Sequence, residues 1–345
     1  MIVDIQAYHS TQQIMDIGLR PDDFYQTYAY CRTDAVFEQS TPLLITCTHD
    51  AHVVVIPVQQ RNIPDKLNGA DTWHDGFSPY GYSGILTNCE NQQILMDMLD
   101  AIRVALGDAG IISLFLRLHP IHHKFTLPAH PHITHLQHGK VVYVDLREDI
   151  DMIRRNYSNN HRYDIRKLYR NGYSVRMDDW SMYPQFQEAY YATMHMHQAG
   201  KQYLFDQAYF NSLRDPEIQM HLFSTHDAQG AFASGALFMS YGKTVQYHLG
   251  GTMPAFRNAS PAKIIFDQAF AYFKELGFTY FHLGGGFGSA QDNLYKFKER
   301  FSSKTTHFST IRMICAPGQY QKLADEHLRT TGISASNYFP LYRAT

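Results

Sequence analysis

The sequence predicts an α/β (α+β) chain: two domains of one type in tandem, each an antiparallel-rich sheet flanked by helices, meeting near residue 147. Three observations carry this reading. The chain has 345 residues, and at roughly 100–200 residues per domain that length favours two. The same order of helix, β-hairpin, helix and closing strands occurs twice. Both hairpins turn through one tetrapeptide, Thr48-His49-Asp50-Ala51 and Thr225-His226-Asp227-Ala228, with an aspartate where turns favour it. The expected domains are 1–146, 147–315, and a C-terminal helix and tail at 316–345 packing back on the first domain.

The elements follow in order. Residues 21–31 read as a helix ahead of the first hairpin, 43–48 with 53–59, which is broken at His49-Asp50. A loop punctuated by Gly and Pro contains Phe77-Ser78-Pro79-Tyr80-Gly81-Tyr82-Ser83-Gly84. Residues 91–106 have helical spacing, with Ile94, Leu95, Met98, Leu99 and Ile102 on one face. Strands at 111–118 and 141–146 close the first half. In the second half, a helix at 184–197 precedes a hairpin, 218–224 with 231–240, and a third strand at 245–250. A helix at 261–276 and strands at 278–283 and 307–314 complete it.

Composition excludes several classes. Hydrophobic residues at 44% and charged residues at 18% describe an ordinary globular chain and not a disordered one. With 30 Lys+Arg against 32 Asp+Glu, the chain is no strongly basic nucleic-acid binder, though a local basic patch is compatible with that balance. Cys31, Cys47, Cys89 and Cys315 are far apart, without zinc spacing, and read as free thiols in a reducing compartment. The N-terminus lacks the basic and apolar regions of a signal peptide, and no run reaches 18 apolar residues. The expected location is the cytoplasm, with peripheral membrane association compatible and no integral membrane segment.

The region between the domains is the most basic. Residues 154–176 hold seven basic side chains, Arg154, Arg155, Arg162, Arg166, Lys167, Arg170 and Arg176, against one acid, Asp164. A helix at 159–171 would put His161, Ile165 and Leu168 on one face and Arg162, Arg166 and Arg170 on another. That stripe is either a solvated face, a set of salt-bridge partners, or a contact for a phosphate-bearing substrate.

Residues 245–301 carry the chemistry. The strand at 245–250 ends in Gly250-Gly251, and the next helix opens at Ser260-Pro261-Ala262-Lys263. Ser260 suits an N-cap and Pro261 an N1 position. Free amides there, with Arg257 and Lys263 nearby, make a candidate phosphate site of Arg257, Ser260, Ala262, Lys263, Gly250 and Gly251. After the following strand come Gly284-Gly285-Gly286 and the basic aromatic segment Leu294-Tyr295-Lys296-Phe297-Lys298-Glu299-Arg300-Phe301. A well-capped surface helix is the bland alternative.

The order YHLGGT, RNASPA, FHLGGG and LYKFKERFS resembles the C-terminal domain of the FemAB-like acyltransferases, members of the GNAT (N-acyltransferase) superfamily with two tandem GNAT-type domains. HRYDIRKLYRNGYSVR at 161–176 resembles the basic helix and strand opening that domain, and PYGYSG at 79–84 a loop of the N-terminal one. The resemblance spans most of 75–305. It implies acyl transfer to an amine, from aminoacyl-tRNA or acyl-CoA as co-substrate with no tightly bound cofactor, to a nucleotide- or lipid-linked precursor of the cell envelope. It places catalysis on Lys298 and Phe297, the lysine stabilising developing charge with the aromatic packed on it. Candidate acceptor contacts are Tyr80, Tyr82, Arg162, Arg166, Tyr247 and Gly285. The usual pyrophosphate loop R/Q-x-x-G-x-G/A is replaced by Arg257-Asn258-Ala259-Ser260-Pro261-Ala262, a departure that FemAB-like enzymes share. His248, with His282 as alternative, is the candidate base, because an imidazole titrates near neutrality.

Histidine is the oddest number, 20 copies. Seven fall at His119, His122, His123, His130, His132, His135 and His138, in an acid-free connector with three prolines. His130-x-His132 makes metal binding at 119–138 a rival reading. Further alternatives are an acyl-CoA-dependent N-acetyltransferase of a small amine or amino sugar, and a non-catalytic ligand-binding relative.

Overall fold

The structure, a computed structural model, describes residues 1–64, 72–122, 125–200, 203–286, 288, 290–333 and 338–344. It divides into two units: residues 1–138 with 308–345, and residues 139–307. Each unit builds its sheet on one plan.

In the first unit the strand order is Ile2–Ala7, Thr41–His49, His52–Asn62, His74–Phe77, Ile111–Leu118, and the part of Thr305–Ile314 from Phe308 on. The first four pair antiparallel, the fourth and fifth pair parallel, and the last pair is antiparallel. In the second unit the order is Ser174–Met177, Met220–His226, Phe232–Tyr241, Thr244–Thr252, Tyr280–Gly284, and the part of Ile133–Asp145 from Gly139 on. The same sequence of antiparallel, parallel and antiparallel pairings recurs.

In each unit one helix bridges the parallel pair, because parallel neighbours need a crossover. Gln92–Asp108, capped by the Asn91 side chain, buries Leu95, Met98, Leu99, Ile102 and Leu106. Ala262–Glu275 buries Ile264, Ile265, Phe266, Ala269, Phe270 and Phe273. Phe266, Phe270 and Phe273 join Phe238, Phe281 and Phe301 in one aromatic core, each buried ring contributing about 1.5–3 kcal/mol. Arg154 and the Tyr157 hydroxyl both donate to Asp267 on this helix, so the buried carboxylate is charge-paired.

Three sequence expectations shift. The helix ahead of the first hairpin is Tyr28–Glu38 and not 21–31; the Thr27 side chain caps it, and residues Phe24–Gln26 form a 3-10 turn held by Asp23. The alternating stretch Ile2–Ala7 is an edge strand that the expected element list lacked. The closing strands trade places. Residues 141–146 pair with Tyr280–Gly284, while Ser309–Ile314 pairs with Ile111–Leu118. The units therefore divide at 138/139 and 307/308, where the linear order of elements suggests 146/147 and 315/316. Helix Pro317–Thr331 lies in the first unit, as does the tail, where Tyr342 and Arg343 donate to the buried carboxylate of Asp75.

Candidate active site

In the second unit the parallel strands Thr244–Thr252 and Tyr280–Gly284 pair only from Thr244↔Tyr280 to Gln246↔His282. From Tyr247 on, the longer strand stays paired with Phe232–Tyr241 alone, and a split opens between the parallel partners. In the first unit the corresponding pair ends at Phe77↔Phe115. There the loop at 78–84 stitches the strands together: Ser78 N donates to Phe115 O at 2.8 Å and Gly84 N to Arg117 O at 2.9 Å, while Arg117 N donates to Ser78 Oγ at 2.7 Å. The second unit keeps its split open.

Lys298 stands at that split. It lies on helix Asn293–Glu299, whose start is capped by the Asp292 side chain, and it is 6% exposed. Its ammonium donates to Gly285 O at 2.7 Å and lies 5.5 Å from the centre of the Tyr247 ring. A Cβ on Gly284 would stand 3.2 Å from Nζ, and Gly284 has φ +80°, so a side chain there would be both strained and crowded. Burial brings the Lys298 amine down to about 7, against an opposing pull from Asp292. Tyr247 packs its ring 4.9 Å from that of Phe266, and burial pushes its hydroxyl up to about 12. Gly250 makes room for that hydroxyl, since a Cβ there would fall 2.1 Å from it.

Lys298, Tyr247, Gly250 and Gly285 thus come together. Phe297 does not pack on the ammonium. Its ring sits among His161, Phe266 and Phe301 at 5.3, 5.7 and 5.4 Å, and Tyr247 is the lysine's aromatic neighbour. His248 is separated from Lys298 by the sheet. Its Nε2 lies 2.8 Å from Tyr209 OH, in the aromatic layer of helices Tyr183–Met196 and Gln207–Ser212, because it occupies the bulge between Leu249 and Tyr247. His282 points the same way, with Nδ1 2.6 Å from Gln246 Oε1. The base expected from these histidines is therefore absent from the Lys298 side.

The expected phosphate cradle is spent on the fold. Ser260 has φ +52° and its side chain does not cap the helix that follows. The helix begins at Ala262 with Pro261 as its N-cap, and the amides of Lys263 and Ile264 return to Ser260 O and Pro261 O. The Lys263 ammonium binds Asp164, and Arg257 donates to Ala192 O at 2.8 Å. Gly251 serves packing: a Cβ there would fall 2.4 Å from backbone atoms of Ala189 and Tyr190.

On the basic helix Asn159–Arg170, Arg162 donates to Arg155 O and Asn159, and Arg166 is exposed. Tyr80 and Tyr82 belong to the first unit. The Tyr80 backbone is held by Asp34 and by the Tyr30 hydroxyl, and the Tyr82 ring stands edge-on to Tyr25 and Phe308.

Three of the connector histidines have side-chain partners. His119 faces Asp23 at 3.3 Å in a buried pair, His130 lies 3.2 Å from Asp100, and His138 lies 2.7 Å from Thr310 Oγ1. His123 is outside the described residues. Among the described residues no group of three or more His, Cys, Asp or Glu is placed to hold a metal ion, and no helix is long and apolar enough to cross a membrane. All four cysteines are buried free thiols. Two buried groups lay outside the sequence-based site: His161, visible only as a histidine on an apolar helix face, and Asp34, for which no local signal existed.

The model of the acetyltransferase (GNAT) domain family matches residues 155–298. No curated protein matches the sequence. Among solved structures, FemX is similar over 93% of this chain and 99% of its own, with TM-score 0.68 and 13% identity. A C-terminal domain assigned to a lysylphosphatidylglycerol synthetase of Agrobacterium fabrum covers 94% and 98%, with TM-score 0.51 and 12% identity. The L-PGS of Bacillus licheniformis covers 89% and 93%, with TM-score 0.50 and 12% identity. At such identities the likeness speaks for fold. That fold is the tandem GNAT-like pair implied by the resemblance to FemAB-like acyltransferases.

Proposed function

From the match of residues 155–298 to the acetyltransferase (GNAT) domain family and the FemX-like fold, we propose that the protein transfers an acyl or aminoacyl group to an amine of a cell-envelope precursor, with Lys298 as the group that takes up developing charge. The observation that carries this is the Lys298 ammonium, buried at the mouth of the open split beside Gly284, Gly285 and Tyr247. Attack by an unprotonated amine on the donor carbonyl puts negative charge on its oxygen, and a desolvated cation a hydrogen bond away lowers that barrier more than one in water. An amine brought down to about 7 changes charge near neutral pH, and a developing oxyanion favours its protonated form.

The split is a suitable place for the donor: backbone groups of 247–251 no longer pair with the parallel neighbour and can hydrogen-bond a bound acyl group. For the donor's class, the internal use of Arg257, Lys263 and the amides of Lys263 and Ile264 favours aminoacyl-tRNA over a CoA gripped by its pyrophosphate. The exposed basic face of Asn159–Arg170 suits a nucleic-acid backbone. The name lysylphosphatidylglycerol synthetase, borne by one of the similar structures, also describes an aminoacylated product. The acceptor is read as a nucleotide- or lipid-linked amine, met in the cytoplasm.

The test is a thermal-shift panel of acyl-CoAs, a stable aminoacyl-tRNA analogue and UDP-linked precursors, followed by turnover of Lys298→Met. A true ligand at 100 times its Kd stabilises by about 2.7 kcal/mol. The expected response is to the tRNA analogue, and a response to CoA alone reassigns the donor. Near-normal turnover by folded Lys298→Met overturns the role of Lys298.

A further inference from the structure

The segment that carries Lys298 is short, and its end is held from outside. Helix Asn293–Glu299 has seven residues, so most of its last carbonyls lack a partner within the helix. Arg300 N turns back to Lys296 O at 3.3 Å and Phe301 N to Lys298 O at 3.0 Å. The carbonyl of Phe297, one residue before the lysine, is taken by His161, whose Nε2 lies 3.1 Å away. A carbonyl only accepts, so this contact assigns the proton to Nε2.

His161 is itself rigidly placed. It is fully buried, its amide donates to the Ser158 cap at 3.2 Å, and its ring lies 5.3 and 4.5 Å from the rings of Phe297 and Phe301. Ser158 N donates to Arg300 O at 2.8 Å, so the start of Asn159–Arg170 clamps the end of the lysine's helix at two carbonyls. Nδ1 of His161 is buried with no hydrogen-bond partner. The groups around the ring are Lys263, Arg300 and Asp164. Burial first, then Lys263 and Arg300, bring the imidazole down to about 4, against the Phe297 carbonyl and Asp164. It therefore stays neutral near pH 7 and acts as a fixed N–H donor rather than a proton carrier.

We propose that His161 is the positioning residue of Lys298: its Nε2–H fixes the Phe297 carbonyl and thereby sets how deeply the ammonium is held beside Gly284, Gly285 and Tyr247. The inference rests on the reading of Lys298 as the charge-stabilising group, and it assigns His161 no contact with substrate.

The experiment compares His161→Phe, which keeps the ring and loses the donor, with His161→Gln, which restores one. The readouts are kcat and KM, and the pH midpoint at which trace acetic anhydride acylates Lys298, resolved by mass spectrometry. His161→Phe is expected to lower kcat about tenfold with KM little changed. It is also expected to raise the Lys298 midpoint from near 7 by about one pH unit or more, with His161→Gln recovering most of both. A His161→Phe variant with wild-type kcat and midpoint overturns the proposal. On the unaltered protein, a His161 ring found by NMR with its proton on Nδ1 at pH 7 overturns it as well, whether or not the variants fold. If Lys298→Met turns over normally while His161→Phe still shifts the midpoint, the catalytic reading falls and the positioning stands. If Lys298→Met is dead and His161→Phe behaves as wild type, only the positioning falls.

Discussion

Replacing Lys298 by methionine should stabilise the protein at neutral pH, and the gain should vanish at high pH. The Lys298 side chain is 6% exposed, and burial lowers its amine from 10.5 to about 7. The unfolded chain holds this proton up to about pH 10.4, so between the two values the native state binds fewer protons than the unfolded one. Stability therefore rises with pH across that window. Below pH 7 both states are charged, and the native state bears the full desolvation cost. Above pH 10.5 both are neutral and the cost is gone. The gap corresponds to on the order of 5 kcal/mol, an upper bound because water penetration and relaxation reduce the penalty of a buried charge. Methionine keeps the length and apolar stem without the charge. Urea unfolding of wild type and Lys298→Met at pH 6, 8 and 10 isolates the effect, since titration of every other group is common to both. The expected outcome is a variant more stable by a few kcal/mol at pH 6, converging on wild type by pH 10, and inactive throughout. A stability difference that is flat across this range would refute the reasoning, because an amine exposed in both states produces no slope.

Two further outcomes follow from buried groups. Burial, with Glu38 adding to it, raises the Asp34 carboxyl from 3.8 to about 7, against the Tyr80 amide and Arg117. Here the native state binds the extra proton, so stability falls as pH rises from about 4 to 7. Asp34→Asn, which keeps an acceptor for Tyr80 N, should match wild type near pH 4 and exceed it at pH 8 by up to about 4 kcal/mol; equal differences at both pH values in chemical unfolding would count against this. Gly251→Ala places a Cβ 2.4 Å from the backbone of Ala189 and Tyr190, which cannot rotate away as a side chain can. It should cost about 3 kcal/mol, and an unchanged thermal midpoint would show that helix Tyr183–Met196 yields freely.

By itself the sequence determined the kind and order of most elements and the segment in which the lysine lies. Apolar periodicity places the crossover helices Gln92–Asp108 and Ala262–Glu275 and the hairpin strands, because that signal is local and follows from the 3.6- and 2-residue repeats. The same locality is why it failed elsewhere. The strands around 141–146 and 307–314 were legible as strands, but their partners are remote in sequence, and only the tertiary structure decides that Phe281 lies opposite Val144 and Ile311 opposite Leu116. Arg257, Lys263 and Ser260 look like an anion site when read as residue types. In the fold Ala192 O takes the arginine, Asp164 takes the lysine, and a left-handed backbone turns the serine from its capping role. Lys298 stands out in the sequence only by resemblance. Its burial, its hold on Gly285 O and its tether through Phe297 to His161 arise from residues 13 to 137 positions away. A charge's environment is a sum over neighbours in space, and chain order does not list them.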